Sequence, residues 1–374
     1  MKFLFTCGGT AGHINPALAV AGRLRELMPD AGFLFVGVNG KMEMQLVPRE
    51  GYEIRGLDMT YLKRGHDLEA LTHNLDTMKN VLRSQREAKR IIRQFKPDAV
   101  IGTGGYICFP VLEAAHEMHI PTFVHESNAV PGLTTKLLAE RVDRVMVGFE
   151  ESRKHYRHPE RVLTTGTPVR GEFDRYSREG ARRELGIGPE EKLVISVWGS
   201  LGAGHMNALM GELIPMLDGR QGFRVIHAAG SLYYRELSEK LRTLAPEHEK
   251  NGVEVREYIY DMPRLMAAAD LILCRAGAST ISELCYMGKP VIMVPSPNVT
   301  NNHQEKNARV LEAAGGAVVL LEGTFDARSL LEQVQALLGD TERLRQMEQA
   351  VRALSVRDAT DRIVETILSF CQGE

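Results

Sequence analysis

The chain has 374 residues, of which 44% are hydrophobic and 25% are charged, and its formal net charge is -2. This length accommodates two domains of ordinary size, and a charge so close to neutral gives no general attraction to nucleic acid. No apolar run reaches the roughly 18 to 20 residues that span a bilayer, and the chain opens on a strand rather than a signal peptide, so we expect a cytoplasmic protein.

Short apolar runs alternate with longer amphipathic ones, which predicts parallel sheets with helices on both faces. In the first half the expected strands are residues 3–6, 32–36, 99–101, 122–124 and 144–147. The rhythm restarts in the second half, where the expected strands are residues 192–197, 224–228, 253–258, 271–274, 290–294 and 317–320. We therefore expect two α/β domains, each with a doubly wound parallel sheet.

A crossing that contains glycine and proline, residues 163–170, separates the two series of strands. We expect a first domain over residues 1–165 and a second over residues 166–354. A helical pattern covers residues 344–370, and we expect the segment 355–374 to pack back on the first domain. Ligands of open α/β sheets bind beyond the carboxyl ends of the strands, so two facing domains would share one cleft.

A glycine cluster with one histidine, Gly8, Gly9, Gly12 and His13, joins the first strand to a helical pattern. Such a turn places backbone N–H groups and a helix N-terminus around a cavity that suits phosphates. The spacing fits neither the dinucleotide fingerprint nor the P-loop. The alternative is a tight turn in which His13 only caps the helix or bonds locally.

Two further polar turns follow strands of the first half. Residues 102–106 form a second glycine turn that ends at Tyr106, and the strand at 122–124 delivers His125, Glu126 and Asn128. The three turns should converge on one rim of the sheet. The alternative for His125 and Glu126 is that they support neighbouring loops by hydrogen bonds.

A leucine-rich segment with basic neighbours lies between the first two of these turns. Its apolar side chains recur every three or four residues at Leu68, Leu71, Leu75, Met78 and Leu82, after Tyr61, Leu62, Lys63 and Arg64 and beside Lys79, Arg83, Arg86, Lys89, Arg90 and Arg93. Such a stripe docks on anionic lipid in some proteins. The alternative is that the leucines face the protein's own core.

The second half carries a glycine turn at residues 199–204 and a strand, turn and helix start at residues 270–283. Ser279 or Thr280 is expected to cap that helix, whose N–H groups would face a diphosphate. Glu283 either takes part in capping or accepts the two hydroxyls of a ribose. The five cysteines are widely spaced without a CxxC pair, which argues against a disulfide framework and a zinc site.

Seven motifs in this order, GGTAGH, GTGGY, HESNAVPGLT, GTPVR, WGSLGAG, RAGASTISE and HQEKNA, span nearly the whole chain. They resemble the MurG-type family, the UDP-GlcNAc:undecaprenyl-diphospho-muramoylpentapeptide N-acetylglucosaminyltransferases. The resemblance implies a GT-B fold, with two Rossmann-like domains facing an interdomain cleft. It also implies inverting transfer of GlcNAc from UDP-GlcNAc to the C4 hydroxyl of the MurNAc of lipid I, giving lipid II, without metal or cofactor.

For the donor, the resemblance implies that Glu283 holds the ribose, the backbone at Ile259 reads the uracil, and Arg170 lies at the hinge side. Ser200 and the turn that follows the strand at 271–274 would bind the diphosphate, through Ala278, Ser279, Thr280, Ile281 and Ser282. The GlcNAc would contact Gln304 and Asn307 from the second domain, and Thr10, Ala11, Gly12 and Asn128 from the first.

For the acceptor and the chemistry, the resemblance points to His13, Tyr106 and Glu126. A histidine with a pKa near neutrality suits removal of the acceptor hydroxyl proton. His13 is the first choice for the base, and Glu126 is its competitor or its orienting partner. The leaving UDP would be stabilised by helix N-termini and loop N–H groups.

The resemblance further implies a peripheral enzyme on the cytoplasmic face of the cell membrane, with an anionic lipid surface and proteins of cell-wall synthesis or division as partners. Two residues depart from the usual motifs: Ala11 replaces a glycine, and Leu201 replaces a glutamine whose amide it does not supply. Three rival functions stay open: a GT-B transferase for another lipid or metabolite acceptor, a UDP-GlcNAc 2-epimerase, and a non-catalytic UDP-sugar-binding subunit.

Overall fold

The computed structural model describes residues 1–59, 68–299 and 302–373. The chain forms two compact units: unit 1 comprises Met1–Gly171 and Val356–Glu374, and unit 2 comprises Glu172–Ser355. Unit 2 is therefore inserted between two pieces of unit 1. The sequence placed this division between residues 165 and 166.

Unit 1 is built on a seven-stranded sheet with the order β3-β2-β1-β4-β5-β6-β7, and all its strand pairs are parallel. Its strands are β1 (Lys2–Thr6), β2 (Gly32–Val38), β3 (Glu53–Leu57), β4 (Ala99–Gly102), β5 (Thr122–Glu126), β6 (Arg144–Val147) and β7 (Val162–Thr164). Its helices are α1 (Ala11–Leu27), α2 (Glu43–Arg49), α3 (Leu68–Phe95), α4 (Cys108–Glu117), α5 (Leu133–Leu138) and α14 (Ala359–Gln372).

The central strand β1 shows why both faces of this sheet are covered. Phe3 and Phe5 are fully buried on the face that receives α1 and α14. Leu4 points to the opposite face, where it joins the buried side chains of α3 and α4. Successive side chains of a strand alternate between faces, so a continuous apolar run requires helices on both sides.

Unit 2 is built on a six-stranded parallel sheet with the order β10-β9-β8-β11-β12-β13. Its strands are β8 (Lys192–Val197), β9 (Phe223–Ala228), β10 (Val253–Arg256), β11 (Leu271–Cys274), β12 (Val291–Met293) and β13 (Ala317–Val319). Its helices are α6 (Arg178–Glu184), α7 (Gly204–Leu213), α8 (Tyr234–Leu244), α9 (Met262–Ala268), α10 (Ala278–Met287), α11 (His303–Ala313), α12 (Ala327–Gly339) and α13 (Thr341–Ala353).

A buried carboxylate ties α6 to the amino ends of the strands in unit 2. The Asp270 side chain is 4% exposed and pairs with Arg178 at 2.6 Å and Arg182 at 3.1 Å. Lys192 lies 3.6 Å away, and the Leu193 N–H donates to the same carboxylate at 2.8 Å. Asp270 has a lowered pKa: burial opposes the shift, but the Leu193 N–H bond and the Arg178 charge outweigh it.

Three details differ from the sequence prediction. Strands β3 and β7, which form the two edges of the unit 1 sheet, were not predicted, because β3 mixes charged residues with a glycine and β7 has only three residues. The helical pattern at residues 344–370 forms two helices rather than one. Helix α13 ends at Ala353 in unit 2, and α14 begins at Ala359 in unit 1.

The leucine-rich segment lies largely outside what the structure describes. Residues 61–64 are outside the described ranges, and the side chains of α3 are described from residue 80 onward. In that part Ala88, Ile91 and Ile92 are buried in the core, and Lys89 pairs with Glu117 of α4. Within the described ranges, no helix has the length and apolar character needed to cross a bilayer.

Candidate functional site

The first glycine turn joins β1 to α1 at the carboxyl edge of the unit 1 sheet. Gly9 has a φ of +87°, a conformation that glycine adopts without strain. The Gly8 N–H donates to the Gly104 carbonyl at 3.3 Å, and the Gly9 N–H donates to Glu43 Oε2 at 3.1 Å. The first two N–H groups of the turn are therefore bonded within the protein and are not directed at a ligand.

The N-terminus of α1 holds the other predicted residues of this turn. Thr10 is the N-cap in extended conformation, and its side chain makes no capping hydrogen bond. Ala11, Gly12 and His13 form the first helical turn, and the His13 N–H donates to the Thr10 carbonyl at 3.0 Å. Because the first N–H groups of a helix lack intrahelical partners, those of Ala11 and Gly12 are the donors available to an anion.

The second glycine turn packs directly against the first. Gly104 has a φ of +117°, and a Cβ added there would lie 2.2 Å from His13 Nδ1. A Cβ on Gly105 would lie 2.5 Å from the Gly8 carbonyl oxygen, and Thr103 Oγ1 donates to the His13 carbonyl at 2.7 Å. The His13 ring is thus seated over Gly104. The next residue, Tyr106, packs against the unit 1 core, so the structure brings His13 and Tyr106 to one edge.

Glu126 ends β5 and is 5% exposed. Its Oε1 accepts hydrogen bonds from the backbone N–H and the side-chain Nδ2 of Asn128 at 3.0 and 2.9 Å. Its Oε2 accepts from the Gly132 N–H at 3.0 Å and from Thr135 Oγ1 at 2.8 Å. Two donors on each oxygen fix the loop at residues 127–132 and leave the carboxylate committed to that loop.

His125 and Arg170 also make contacts that hold neighbouring segments of unit 1 in place. His125 Nε2 lies 2.9 Å from the Gly166 carbonyl, so this nitrogen carries the proton and donates it. Burial lowers the His125 pKa, which keeps the ring neutral. Arg170, which the sequence placed at the hinge side of the donor, pairs with Glu50 at 3.2 Å.

In unit 2 a series of buried, hydrogen-bonded polar side chains supports the glycine turn between β8 and α7. Asn207 Nδ2 donates to the carbonyls of Ala203 and Ala229 at 3.1 and 2.9 Å. Asn207 Oδ1 therefore accepts from His227 Nε2 at 3.0 Å, and His227 Nδ1 accepts from Ser196 Oγ at 3.0 Å. His227 is fully buried, which lowers its pKa to about 3 and fixes a neutral ring.

The glycine turn itself carries Ser200 and Leu201, the residue that stands in place of the usual glutamine. Gly202 has a φ of +82°, and a Cβ there would lie 2.0 Å from the Ala229 carbonyl oxygen, so the turn lies directly against the residues after β9. Ser200 is half-buried and Leu201 is 51% exposed. Trp198 is buried in the unit 2 core, and its Nε1 finds no hydrogen-bond partner in the described part of the chain.

The N-terminus of α10 differs from the prediction at its cap. Gly277, which has no side chain, is the N-cap and makes no capping hydrogen bond, so the prediction that Ser279 or Thr280 caps this helix is wrong. Both lie in the first helical turn, after Ala278 and before Ile281, and Ser282 Oγ instead donates to the Ala278 carbonyl at 3.1 Å. The uncapped turn, with no acidic residue, leaves its N–H groups for an anion.

Glu283 and Asn307 lie close to this turn. Glu283 is in the second turn of α10 and is 7% exposed. Asn307, on α11, is 2% exposed and donates from Nδ2 to the Ala276 carbonyl at 3.3 Å, which joins α11 to the turn before α10. Its Oδ1 accepts no hydrogen bond from the described residues.

Gln304 and Ile259 complete the set predicted for unit 2. On α11, Gln304 Oε1 accepts from the Ser296 N–H at 2.9 Å. Ile259 follows β10 and is 4% exposed, between Tyr258 and Tyr260, whose ring centroids are 4.7 Å apart. Over the described ranges, no three His, Cys, Asp or Glu side chains cluster closely enough to hold a metal ion.

Sequence reasoning missed two buried polar features that support these turns. Glu43 was overlooked because it lies in a short amphipathic helix, 34 residues from its partner Gly9. His227 carried a signal, a lone histidine inside an apolar strand, which is a buried polar group that must find partners. Its partners Ser196 and Asn207 lie 31 and 20 residues away, so no local pattern reveals them.

Comparison with known proteins gives matches over both units. Residues 3–147 match the N-terminal domain model of glycosyltransferase family 28, and residues 194–363 match the C-terminal domain model of that family. A protein of Acetivibrio thermocellus is 43% identical over 374 residues, which is 100% of this chain and 99% of that protein. It is described as a "UDP-N-acetylglucosamine--N-acetylmuramyl-(pentapeptide) pyrophosphoryl-undecaprenol N-acetylglucosamine transferase".

Solved structures show the same architecture. MurG of Acinetobacter baumannii aligns with a TM-score of 0.68 and 26% identity, covering 98% of this chain and 99% of that one. The UDP-GlcNAc 2-epimerase of Neisseria meningitidis, solved with UDP-GlcNAc, aligns with a TM-score of 0.66, covering 99% of this chain and 100% of that one. Its identity is only 16%, so this second likeness concerns the fold alone.

Proposed function

This chain belongs to glycosyltransferase family 28 and to its lipid I-specific N-acetylglucosaminyltransferases, and we propose here how its residues carry out that reaction. The enzyme transfers GlcNAc from UDP-GlcNAc to lipid I and forms lipid II. The observation that carries this function is the 43% identity to such a transferase over the whole chain. Its two parallel α/β sheets have the GT-B fold that the sequence predicted.

For the donor, we propose that unit 2 binds UDP-GlcNAc at the carboxyl edge of its sheet. The N-terminus of α10 and Ser200 would take the diphosphate, since helix N-termini favour anions. Glu283, nearly buried in α10, would accept the ribose hydroxyls, and the backbone at Ile259 would read the uracil. Asn307 supports the sugar site because its buried Oδ1 accepts no hydrogen bond from the part of the chain that the structure describes, and a GlcNAc hydroxyl would supply one.

The transfer itself would be a single displacement that inverts the anomeric centre. His13 removes the proton of the acceptor C4 hydroxyl as its oxygen bonds to the anomeric carbon of the donor. The bond from that carbon to the β-phosphate oxygen breaks, and UDP leaves. The N–H groups of α7 and α10, which have no acidic residue in their first turns, would stabilise the charge on UDP without a metal.

We assign Glu126 to positioning rather than to proton removal. Each of its oxygens accepts two hydrogen bonds from the loop that carries Asn128, so accepting a proton would break part of that loop's support. Tyr106 would then line the acceptor side, where the N–H groups of Ala11 and Gly12 would also take the acceptor's diphosphate, and Thr10 and Asn128 would contact the GlcNAc. Arg170 is held by Glu50 and would act through the position of its own loop.

The acceptor named for the relatives carries an undecaprenyl chain, which resides in a membrane. We therefore propose that the enzyme works as a peripheral protein on the cytoplasmic face, where the segment over residues 61–82 would contact anionic lipid. Apolar side chains flanked by basic ones give such reversible attachment.

The test is release of UDP from UDP-GlcNAc in the presence of a short-chain lipid I analogue. Substituting His13→Ala should lower kcat by roughly 100- to 10,000-fold, the usual contribution of a general base. Substituting Glu283→Ala should raise KM for UDP-GlcNAc by about 10- to 100-fold, since bonds to a charged group are lost. His158→Ala, a surface histidine of unit 1, serves as the matched control.

The outcomes separate the rival functions. An epimerase would form UDP-ManNAc without an acceptor, and a binding subunit would bind UDP-GlcNAc without turnover. A transferase for another acceptor would release UDP only with a lipid or metabolite other than lipid I. Unchanged kcat in the His13 variant would refute its assignment as the base, and unchanged KM in the Glu283 variant would refute the ribose assignment.

A further inference from the structure

Glu43 is a buried carboxylate that the proposed chemistry does not use. It is the first residue of α2 and is 0% exposed. Two glycines make room for it: a Cβ on Gly8 would lie 2.6 Å from Glu43 Oε1, and a Cβ on Gly37 would lie 2.5 Å from its Cγ. The side chain therefore fills a slot between the ends of β1 and β2.

The carboxylate is stabilised by backbone donors. Oε2 accepts the Gly9 N–H at 3.1 Å, and Oε1 accepts the Val38 N–H at 2.9 Å. None of the ion pairs formed by the described residues includes Glu43. Burying a charge without a cation is costly, so an apolar side chain would fill the slot more favourably if packing were its only role.

The bond to Gly9 acts on the turn that carries the proposed base. Glu43 holds Gly9 from one side, and the Gly104 carbonyl holds the preceding N–H of Gly8 at 3.3 Å. Thr103 then fixes the His13 carbonyl four residues later, at 2.7 Å. These three bonds determine where α1 begins and therefore where its first side chains lie.

We propose that Glu43 is a positioning residue for the transfer reaction: by binding the Gly9 N–H it sets the place of His13 and confines the acceptor's diphosphate to the N–H groups of Ala11 and Gly12. This inference rests on the proposed roles of His13 and of the turn. A carboxylate is required because both partners are donors. A glutamine would offer one oxygen and would turn its NH2 group toward the second N–H.

The experiment uses Glu43→Gln in the full-length protein, with Glu53→Gln as the matched control, an exposed carboxylate on β3 of the same unit. With the lipid I analogue, Glu43→Gln should lower kcat by about 10- to 100-fold, the usual cost of a small misplacement of a catalytic group. Its affinity for UDP-GlcNAc, measured by calorimetry, should stay within about twofold of the unchanged protein because unit 2 binds the donor. Glu53→Gln should change neither quantity.

A second variant displaces the Glu43 side chain without changing Glu43 itself. Gly37→Ala presses on the Glu43 Cγ without touching the first turn, so it should lower kcat in the same way. The inference is overturned if both variants keep kcat within about threefold of Glu53→Gln. It is equally overturned if Glu43→Gln fails to fold, or loses donor affinity as much as turnover, since Glu43 would then be a general structural residue. Absence of turnover in the unchanged protein would instead refute the proposed function.

Discussion

Replacing His227 with glutamine tests the buried hydrogen bonds that join Ser196, His227 and Asn207 beneath the glycine turn between β8 and α7. The glutamine amide keeps a donor near the place of His227 Nε2, so the bond to Asn207 survives, while Ser196 loses its acceptor. Glutamine does not titrate. The variant therefore separates the hydrogen bonds of this position from its response to pH.

The lost hydrogen bond and the titration of His227 together set the expected change in the free energy of unfolding. Loss of the Ser196 bond should lower the free energy of unfolding by about 1–2 kcal/mol near neutral pH. His227 has a pKa of about 3 in the folded protein. A histidine in the unfolded chain has a pKa of about 6.5. As the pH falls from above this value toward the folded pKa, the unfolded chain binds the proton first, so the free energy of unfolding decreases. Between about pH 7.5 and pH 5 that loss amounts to about 2 kcal/mol in the unchanged protein and is absent from the variant.

The assay is urea unfolding followed by the fluorescence of Trp198, the single tryptophan, which lies in the unit 2 core. The free-energy difference between the two proteins should be about 1–2 kcal/mol near neutral pH and should fall to about zero or reverse near pH 5. Other titrating groups, such as His125, are common to both proteins and cancel. A difference that stays constant with pH would refute a neutral, buried His227.

Two other substitutions test features described above. Asp270→Asn leaves the buried Arg182 without its counter-charge and should cost roughly 3–5 kcal/mol in the same fluorescence transition, while Asp218→Asn on the surface should cost little; a loss below about 1 kcal/mol would contradict the role of the cluster. Gly104→Ala places a methyl 2.2 Å from His13 Nδ1 and should lower kcat by about 100-fold or more without loss of UDP-GlcNAc affinity. Gly40→Ala, at a φ of +71° with open space around it, is the control for backbone strain, and equal kcat losses in the two variants would contradict the reasoning.

The sequence predicted the parts of the fold that local pattern encodes. Central strands such as β1 and β8 are buried on both faces and form continuous apolar runs, so they were recognised together with the parallel sheets. Edge strands are less constrained, because one side lacks a neighbour and charged residues are tolerated. Strand β3 illustrates this, with a glutamate and an arginine among its five residues.

The parts of the candidate site that the sequence predicted are those marked by glycines and by helix starts. The turns at Gly8, Gly104 and Gly199 all carry glycines with positive φ next to a strand end, close to where the motifs placed them. The supports of these turns escaped prediction, since Glu43 and His227 act through partners distant in sequence. The absent cap on α10 was also missed, because a serine near a helix start is a capping signal whose exact position only the backbone decides.

The return of the chain from unit 2 to unit 1 has a consequence for synthesis. Ile363, Val364 and Ile367 of α14 are buried in the unit 1 core against α1 and β1, yet they are translated after the whole of unit 2. Because domains fold as units while the ribosome elongates the chain, the inserted unit 2 has all its residues available before unit 1 does. Until α14 emerges, the nascent chain exposes the apolar face of a sheet that began with its first strand, and this interval is when chaperones would be needed most.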